Sequence, residues 1–172
     1  PGTVLAIGLL TPALAIDAGL AQLFGLPGLP LMGLGGVLVV ACTIRFLVIP
    51  VGGVEAGLQR IPATLEQASR LLGETTVGTL WRVHLPLLKP ALATSALLVF
   101  VDAMKELPAT LLLRPANFDT LATWLYAEAA RGTYEEGAIA ALGIVLAGLI
   151  PVVLLARTQL SPPARQPAPD NS

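Results

Sequence analysis

Asp102, Lys105 and Glu106 stand three and four residues apart, a spacing that gathers two carboxylates and an ammonium on one face of a helix. Carboxylate oxygens are hard donors, so Asp102 and Glu106 suit transient contact with a hard cation. The same spacing admits a plainer outcome, in which Asp102 and Lys105 neutralise each other and Glu106 rests in interfacial water. Two more charges lie inside apolar runs. Asp17 is near the end of its run, where water can solvate it, whereas Arg45 is closer to mid-run and needs an acidic or carbonyl partner. The lone Cys42 and the lone His84 form neither a disulfide nor a metal cluster. No glycine-rich phosphate loop and no paired nucleophile and base are present. The chemistry open to these residues is therefore contact with a passing ion or mutual neutralisation, with no catalysis and no cofactor bound by this chain expected.

A second set of residues is suited to gripping a partner. Glu66-Gln67-Ala68-Ser69-Arg70-Leu71-Leu72-Gly73 is a polar island between apolar runs. Read as a helix, it places Leu65, Ala68, Leu71 and Leu72 on one face and Glu66, Gln67, Ser69 and Arg70 on the other. Gly73 ends it, since glycine accepts a left-handed backbone. A second short helix is expected over Thr76 to His84, until Leu85-Pro86 forces the chain away. Ala68 and Ser69 are small enough for a close approach by another surface. Periodicity alone favours an amphipathic helix resting on lipid headgroups.

The elements that must position these groups are membrane spans. Hydrophobic residues make up 55% of the chain and charged residues 12%, the net charge is -1, and the mean hydropathy is +0.78. A soluble domain of this length needs more polar surface, and no basic face interleaved with aromatics is present to bind nucleic acid. Four stretches reach the roughly 20 apolar residues that a bilayer requires: 2–24, 31–54, 87–106 and 134–157. Pro27-Gly28-Leu29-Pro30 breaks the first from the second. Thr133 with Glu136 reads as a capping box for the fourth, after Gly132 ends a short helix that Asp119 caps. Gly137 with Ala141 and Gly143 with Ala147 favour close packing in the fourth span. Arg60, Arg70, Arg82 and Lys89 between spans two and three, with Arg157 and Arg165 after span four, outnumber Lys105, Arg114 and Arg131 between spans three and four. The 55–86 loop and the C-terminus are therefore expected inside, and 107–132 outside. The Pro-rich segment 158–172 reads as a disordered cytoplasmic tail. A start at Pro1, directly into an apolar span, reads as a piece of a longer protein, whose missing part would supply the partner of Arg45.

Gln67-Ala68-Ser69, three residues, Gly73, nine residues, Val83, one residue, then Leu85-Pro86 resembles the EAA loop of binding-protein-dependent ABC importer permeases. That loop reads Glu-Ala-Ala, three residues, Gly, nine residues, Ile, one residue, Leu-Pro. Spacing is kept throughout, while Gln67, Ser69 and Val83 depart in letter and Glu66 brings an acid one position early. The run Phe100 to Pro115, followed by Asn117 to Thr123, is similar to the iron(III) subgroup of the same family. The resemblance covers residues 1–157 and implies an all-α polytopic membrane protein. More closely, it implies a type I, MetI-like helical bundle with cytoplasmic coupling helices, forming the C-terminal part of a permease with two fused halves.

The resemblance also implies function. Glu66, Gln67, Ala68, Ser69, Gly73, Leu85 and Pro86 would couple to a dimer of ABC ATPase subunits that use the ATP. Asp102, Lys105, Glu106 and Arg45 would line the translocation pathway, with Asp102 and Glu106 as passing contacts of iron(III) and no resident metal site. The partners implied are that ATPase dimer, a periplasmic or extracellular solute-binding protein, the remaining permease half and membrane lipid, all at the bacterial cytoplasmic (inner) membrane. Sulfate, thiamine or polyamine permeases share the loop pattern and stay open as alternatives. So does a membrane scaffold that transports nothing.

Overall fold

The computed structural model describes residues 2–25, 28 and 30–159. Among the described residues the chain is all helix and turn. Its elements run α1 (Gly2–Phe24), α2 (Pro30–Gly33), α3 (Gly36–Phe46), α4 (Val48–Gln59), α5 (Ala63–Leu71), α6 (Thr76–Thr79), a π-helical turn (Leu80–His84), α7 (Leu85–Met104), α8 (Pro108–Leu113), α9 (Leu121–Arg131) and α10 (Tyr134–Gln159). Four helical stretches are long and apolar enough to cross a membrane: Gly2–Phe24, Gly36–Gln59, Thr76–Met104 and Tyr134–Leu154. The segment expected to be disordered lies, from residue 160 on, outside the described residues.

The second of these begins and ends five residues later than the stretch 31–54. Leu31 and Met32 belong instead to the short α2, which the Asp17 carboxylate holds in place. Asp17 accepts the backbone N–H of Leu31 at 2.7 Å and of Met32 at 2.8 Å. It is fully buried, which corrects the expectation of a solvated side chain. A carboxylate taking two N–H donors at a helix start gains more than water offers it there. Pro50 sits near the start of α4 and has no N–H for the carbonyl of Phe46, so the stretch is jointed at Leu47 and continues through Leu47 N–H to Thr43 and Val51 N–H to Leu47.

The third crossing also differs from expectation. The chain does not turn away at Leu85-Pro86; α6, the π turn and α7 form one helical stretch, Thr76–Met104. Pro86 lacks an N–H and its ring crowds the carbonyl four residues earlier, so an α-helix would break there. The wider π turn absorbs the conflict, with Leu85 N–H reaching back five residues to Leu80.

Packing rests on small residues. Gly53 lies against Ser95, and Gly57 against Leu88 and Ala91, so that α4 and α7 run antiparallel in close contact. Gly137 packs on Leu125 and Glu128 of α9, and Gly143 on Leu121. Ala6 and Ala13 of α1, Val37 and Ala41 of α3, and Ala109 and Leu113 of α8 form the buried apolar core. Most other apolar side chains of the long helices are exposed, as a bilayer or a neighbouring membrane subunit requires.

Two caps differ from those expected. Thr120 caps α9 in a reciprocal box with Thr123, while Asp119 pairs with Arg114 and accepts from Thr123. The Thr133 hydroxyl donates to the backbone carbonyl and the carboxylate of Glu128, and among the described residues no bond joins it to Glu136. Gly132 takes the left-handed turn, φ 81°, that ends α9.

Asp17 gives a direct test of the α1–α2 joint. Asp17→Ala leaves two buried N–H groups unpaired and should lower stability by about 2–4 kcal/mol, read by unfolding in mixed micelles. Asp17→Asn keeps one acceptor and should lose about half as much.

Candidate functional site

Two places combine exposure with polar chemistry. The first is a break in the third crossing. Helix α7 stops at Met104, and Lys105 to Leu107 leave the helical path before Pro108 starts α8. Arg45 of α3 stands at the same level, nine residues in from Gly36, which is about 13 Å at the helical rise. Helix α8, packed on α1 and α3, fills the remaining thickness. Non-helical backbone at such depth is tolerated where it is buried in protein or lines a cavity. Here Arg45, Phe46, Asp102, Lys105, Glu106 and Pro108 line an open cavity of about 340 Å³.

The break separates residues that spacing had placed together. Glu106 turns inward and is only 5% exposed. Its Oε2 meets Arg45 Nε at 3.0 Å, and its Oε1 accepts the Ala109 N–H at 3.1 Å, capping α8. The expected single helical face of Asp102, Lys105 and Glu106 therefore does not form, because the helix ends before Glu106. Nor does Glu106 rest in interfacial water. Arg45 finds its partner in this chain, not in a missing part. Lys105 and Asp102 pair with each other at 2.9 Å and stay partly exposed at the rim. Gly2 of α1 lies against the Arg45 guanidinium and the Glu106 carboxylate, a position where a Cβ would collide with Arg45. One ion pair thus joins α1, α3, α7 and α8.

The second place is the elbow of α5 and α6. Helix α5 ends in a Schellman turn: Glu74 N–H donates to Ser69 O and Gly73 N–H to Arg70 O, with Gly73 at φ 85°. Helix α5 is mostly exposed on both faces, Gln67 and Arg70 included; Ser69 is the residue turned in, 6% exposed, with its hydroxyl 2.9 Å from that of buried Thr79. Glu66 pairs with Arg70, and Arg82 with Glu74. The apolar side points outward: Leu71 and Leu72 are 88% and 85% exposed. Gln67, Ala68 and Gly73 are exposed beside them, and Leu85 is half-buried in the turn that leads to exposed Pro86. Trp81 and Val77 extend the apolar surface from α6 and the π turn.

Several structural residues escaped sequence reasoning. Glu128, buried in α9, pairs with Arg131 at 2.6 Å and takes the Thr133 hydroxyl bond, joining α9 to α10. Gly53 and Gly57, four apart, carried a readable packing signal. The pairing of Arg45 with Glu106 had none, since no local pattern links α3 to the end of α7. Among the described residues no group of three or more His, Cys, Asp or Glu is placed to hold a metal ion.

Comparison with known proteins bears on both places. The family model for binding-protein-dependent transport system inner membrane components matches residues 2–166. The chain is 31% identical over 144 residues to the protein named as a 2-aminoethylphosphonate transport system permease, PhnV of Salmonella typhimurium, covering 82% of this chain and 53% of the relative. It is 30% identical over 119 residues to the Fe(3+)-transport system permease protein FbpB 2 of Haemophilus influenzae, covering 69% and 24%. It is 28% identical over 123 residues to the ferric transport system permease protein FbpB of Actinobacillus pleuropneumoniae, covering 72% and 18%. The chain thus spans about half the length of the first of these relatives and a quarter or less of the ferric ones. No solved structure matches it.

The two ion pairs of the cavity should behave differently in double-mutant cycles. Arg45→Gln or Glu106→Gln alone leaves a charge stranded and should destabilise by about 3 kcal/mol. The double change should recover most of that. The Asp102→Asn and Lys105→Met cycle should show coupling below ~1 kcal/mol. Both are read from unfolding midpoints in mixed micelles.

Proposed function

This chain belongs to the family of binding-protein-dependent transport system inner membrane components, and we propose that it forms part of the permease of an ATP-driven importer in the bacterial inner membrane. The family is one of transport permeases, not of enzymes, so hydrolysis of ATP falls to a separate subunit pair. A solute-binding protein outside would deliver the cargo, and the rest of the permease would complete the bundle. The observation that carries the reading is the exposed leucine pair of α5, Leu71 and Leu72, on a helix that the Ser69–Thr79 bond and the Gly73 turn tie to α6, a placement that suits a coupling element. The spacing of Gln67, Gly73 and Leu85-Pro86 agrees with the EAA loop, and these residues with Glu66 and Ala68 form the proposed ATPase contact, which buried Ser69 braces from behind.

For the cargo we propose iron(III), supported by the Phe100 to Pro115 run and by the names of the ferric relatives. The cavity at the α7–α8 break is its proposed route. Asp102 at the rim is the carboxylate able to meet it, and Arg45 and Glu106 behind it hold the walls. A second cargo reading is 2-aminoethylphosphonate, named for a relative that covers more of this chain, for which Arg45 and Lys105 of the same cavity would meet the phosphonate.

The elbow is the decisive test. In a Cys42→Ser background, a cysteine at Arg70 should react with impermeant thiol reagents from the cytoplasmic side only, and one at Ala116 from the outside only. Leu71→Asp with Leu72→Asp should abolish ATPase capture and transport at unchanged membrane insertion. Gly73→Leu, which forces a side chain into the left-handed region at about 1–2 kcal/mol, should reduce transport strongly. Ordinary uptake by these variants would leave α5 as a lipid-surface helix.

A further inference from the structure

The cavity at the α7–α8 break is a poor cage for a bare cation. Of its two carboxylates, Glu106 is already committed to Arg45 Nε and the Ala109 N–H, which leaves Asp102 as the one carboxylate at the rim. A hard trivalent ion needs several anionic oxygens at once, and two cations stand beside that single carboxylate. The cations are not spent. Glu106 meets Arg45 at Nε and Nη1 lies against Gly2 of α1, yet among the described residues no hydrogen bond engages the guanidinium terminus, whose planar fork suits an oxyanion. The Asp102–Lys105 pair joins two partly exposed side chains of one helix end. Such pairs are weak and exchange readily with an incoming ion.

We infer that this cavity binds a small solute of separated charge, its oxyanion on the Arg45 guanidinium terminus and its cationic centre on Asp102 in place of Lys105. The volume, about 340 Å³, falls at the lower end of the range for small-ligand pockets. The inference deepens the importer reading and rests on it for the meaning of the site as a cargo station. One molecule can carry both charges, as an amino-oxyanion does. A ferric ion would satisfy the same groups only in company with an oxyanion ligand. Glu106 is then a positioning residue: it orients Arg45 and cancels its charge, so that the bound solute leaves the site neutral overall at membrane depth.

Binding can be measured without the ATPase, by saturation-transfer NMR on the full-length permease in phosphatidylglycerol nanodiscs. The probes are phosphoethanolamine, inorganic phosphate, ethanolamine and, by competition against the first, ferric citrate. Phosphoethanolamine should bind saturably, at least about tenfold tighter than phosphate or ethanolamine, since each lost charge-assisted bond is worth roughly that factor. Asp102→Asn should remove the preference over phosphate, and Arg45→Lys the preference over ethanolamine. Arg45→Gln with Glu106→Gln, which keeps the cavity neutral, should abolish saturable binding. Competition by ferric citrate assigns the site to the complexed ion as well, and its absence assigns it to the amino-oxyanion alone. Equal binding of phosphate and phosphoethanolamine overturns the inference, as does binding unchanged in the variants. A short-chain phosphatidylethanolamine that binds where the free solute does not would make the cavity a headgroup site and overturn it too. The importer reading fails separately, if the elbow captures no ATPase, and the cargo meaning of the site falls with it.

Discussion

The partly buried ion pair between Arg45 and Glu106 is the constraint around which one half of this chain is arranged. A guanidinium at membrane depth without a partner is among the most costly states available to a helix, and Arg45 sits well inside Gly36–Gln59. Glu106 answers it only because α7 stops early. Had α7 continued as an α-helix past Met104, Glu106 would have stayed on the face it shares with Asp102. The break frees it to turn inward, and its second oxygen starts α8. Helix α8 then supplies Ala109 and Leu113 to the apolar core with α1 and α3. A charge that must be neutralised thus determines where a helix ends and how the next one packs. The backbone irregularity it leaves is also what opens a polar cavity in an otherwise apolar bundle.

The elbow end is governed by a different balance. Helix α5 turns Ser69 toward α6, where it and Thr79 satisfy each other, and leaves Leu71 and Leu72 exposed. In a protein resting alone in water this would be unfavourable, at about 25 cal/mol for every Å² of apolar surface exposed. Such surfaces mark places where something else binds. On the coupling reading, Leu71 and Leu72, with exposed Gln67 beside them, are what the elbow offers to a partner.

Much of this was legible in the sequence, and what was not has a physical reason. The four crossings announce themselves through length and hydropathy, and the turn at Gly73 through the need for a left-handed residue. The Gln67 to Pro86 spacing points to the family that the comparisons then show. The errors cluster where a local rule met a distant partner. Asp17 and Glu106 were read as solvated or facing outward because nothing nearby could pair with them; their partners, the α2 backbone and Arg45, arrive only through folding. Pro86 was read as a turn because proline breaks an α-helix, and a π turn, which lifts that clash, leaves no plain mark in composition. In α5 a period could not say that Ser69 would turn in to meet Thr79 while Gln67 and Arg70 of the same set stay exposed.

The two ends of the molecule are joined by one element. Thr76–Met104 is continuous helix of 29 residues, about 43 Å at the α-helical rise, with the elbow at one end and the rim of the charged cavity at the other. Its contact with α4 runs through Gly53 and Gly57, whose missing side chains leave room that Ser95, Ala91 and Leu88 fill, so the two helices fit each other closely. The π turn near its elbow end is the place where the hydrogen-bond register is already wider than α-helical. At the far end, Glu106 and α8 pack with α1 and α3, while Asp102 and Lys105 belong to the end of α7. On the proposed coupling role of α5, an axial shift of α7 relative to α3 would change the distance between the two halves of the cavity, and the Ser69–Thr79 bond is the contact that ties the elbow to that helix.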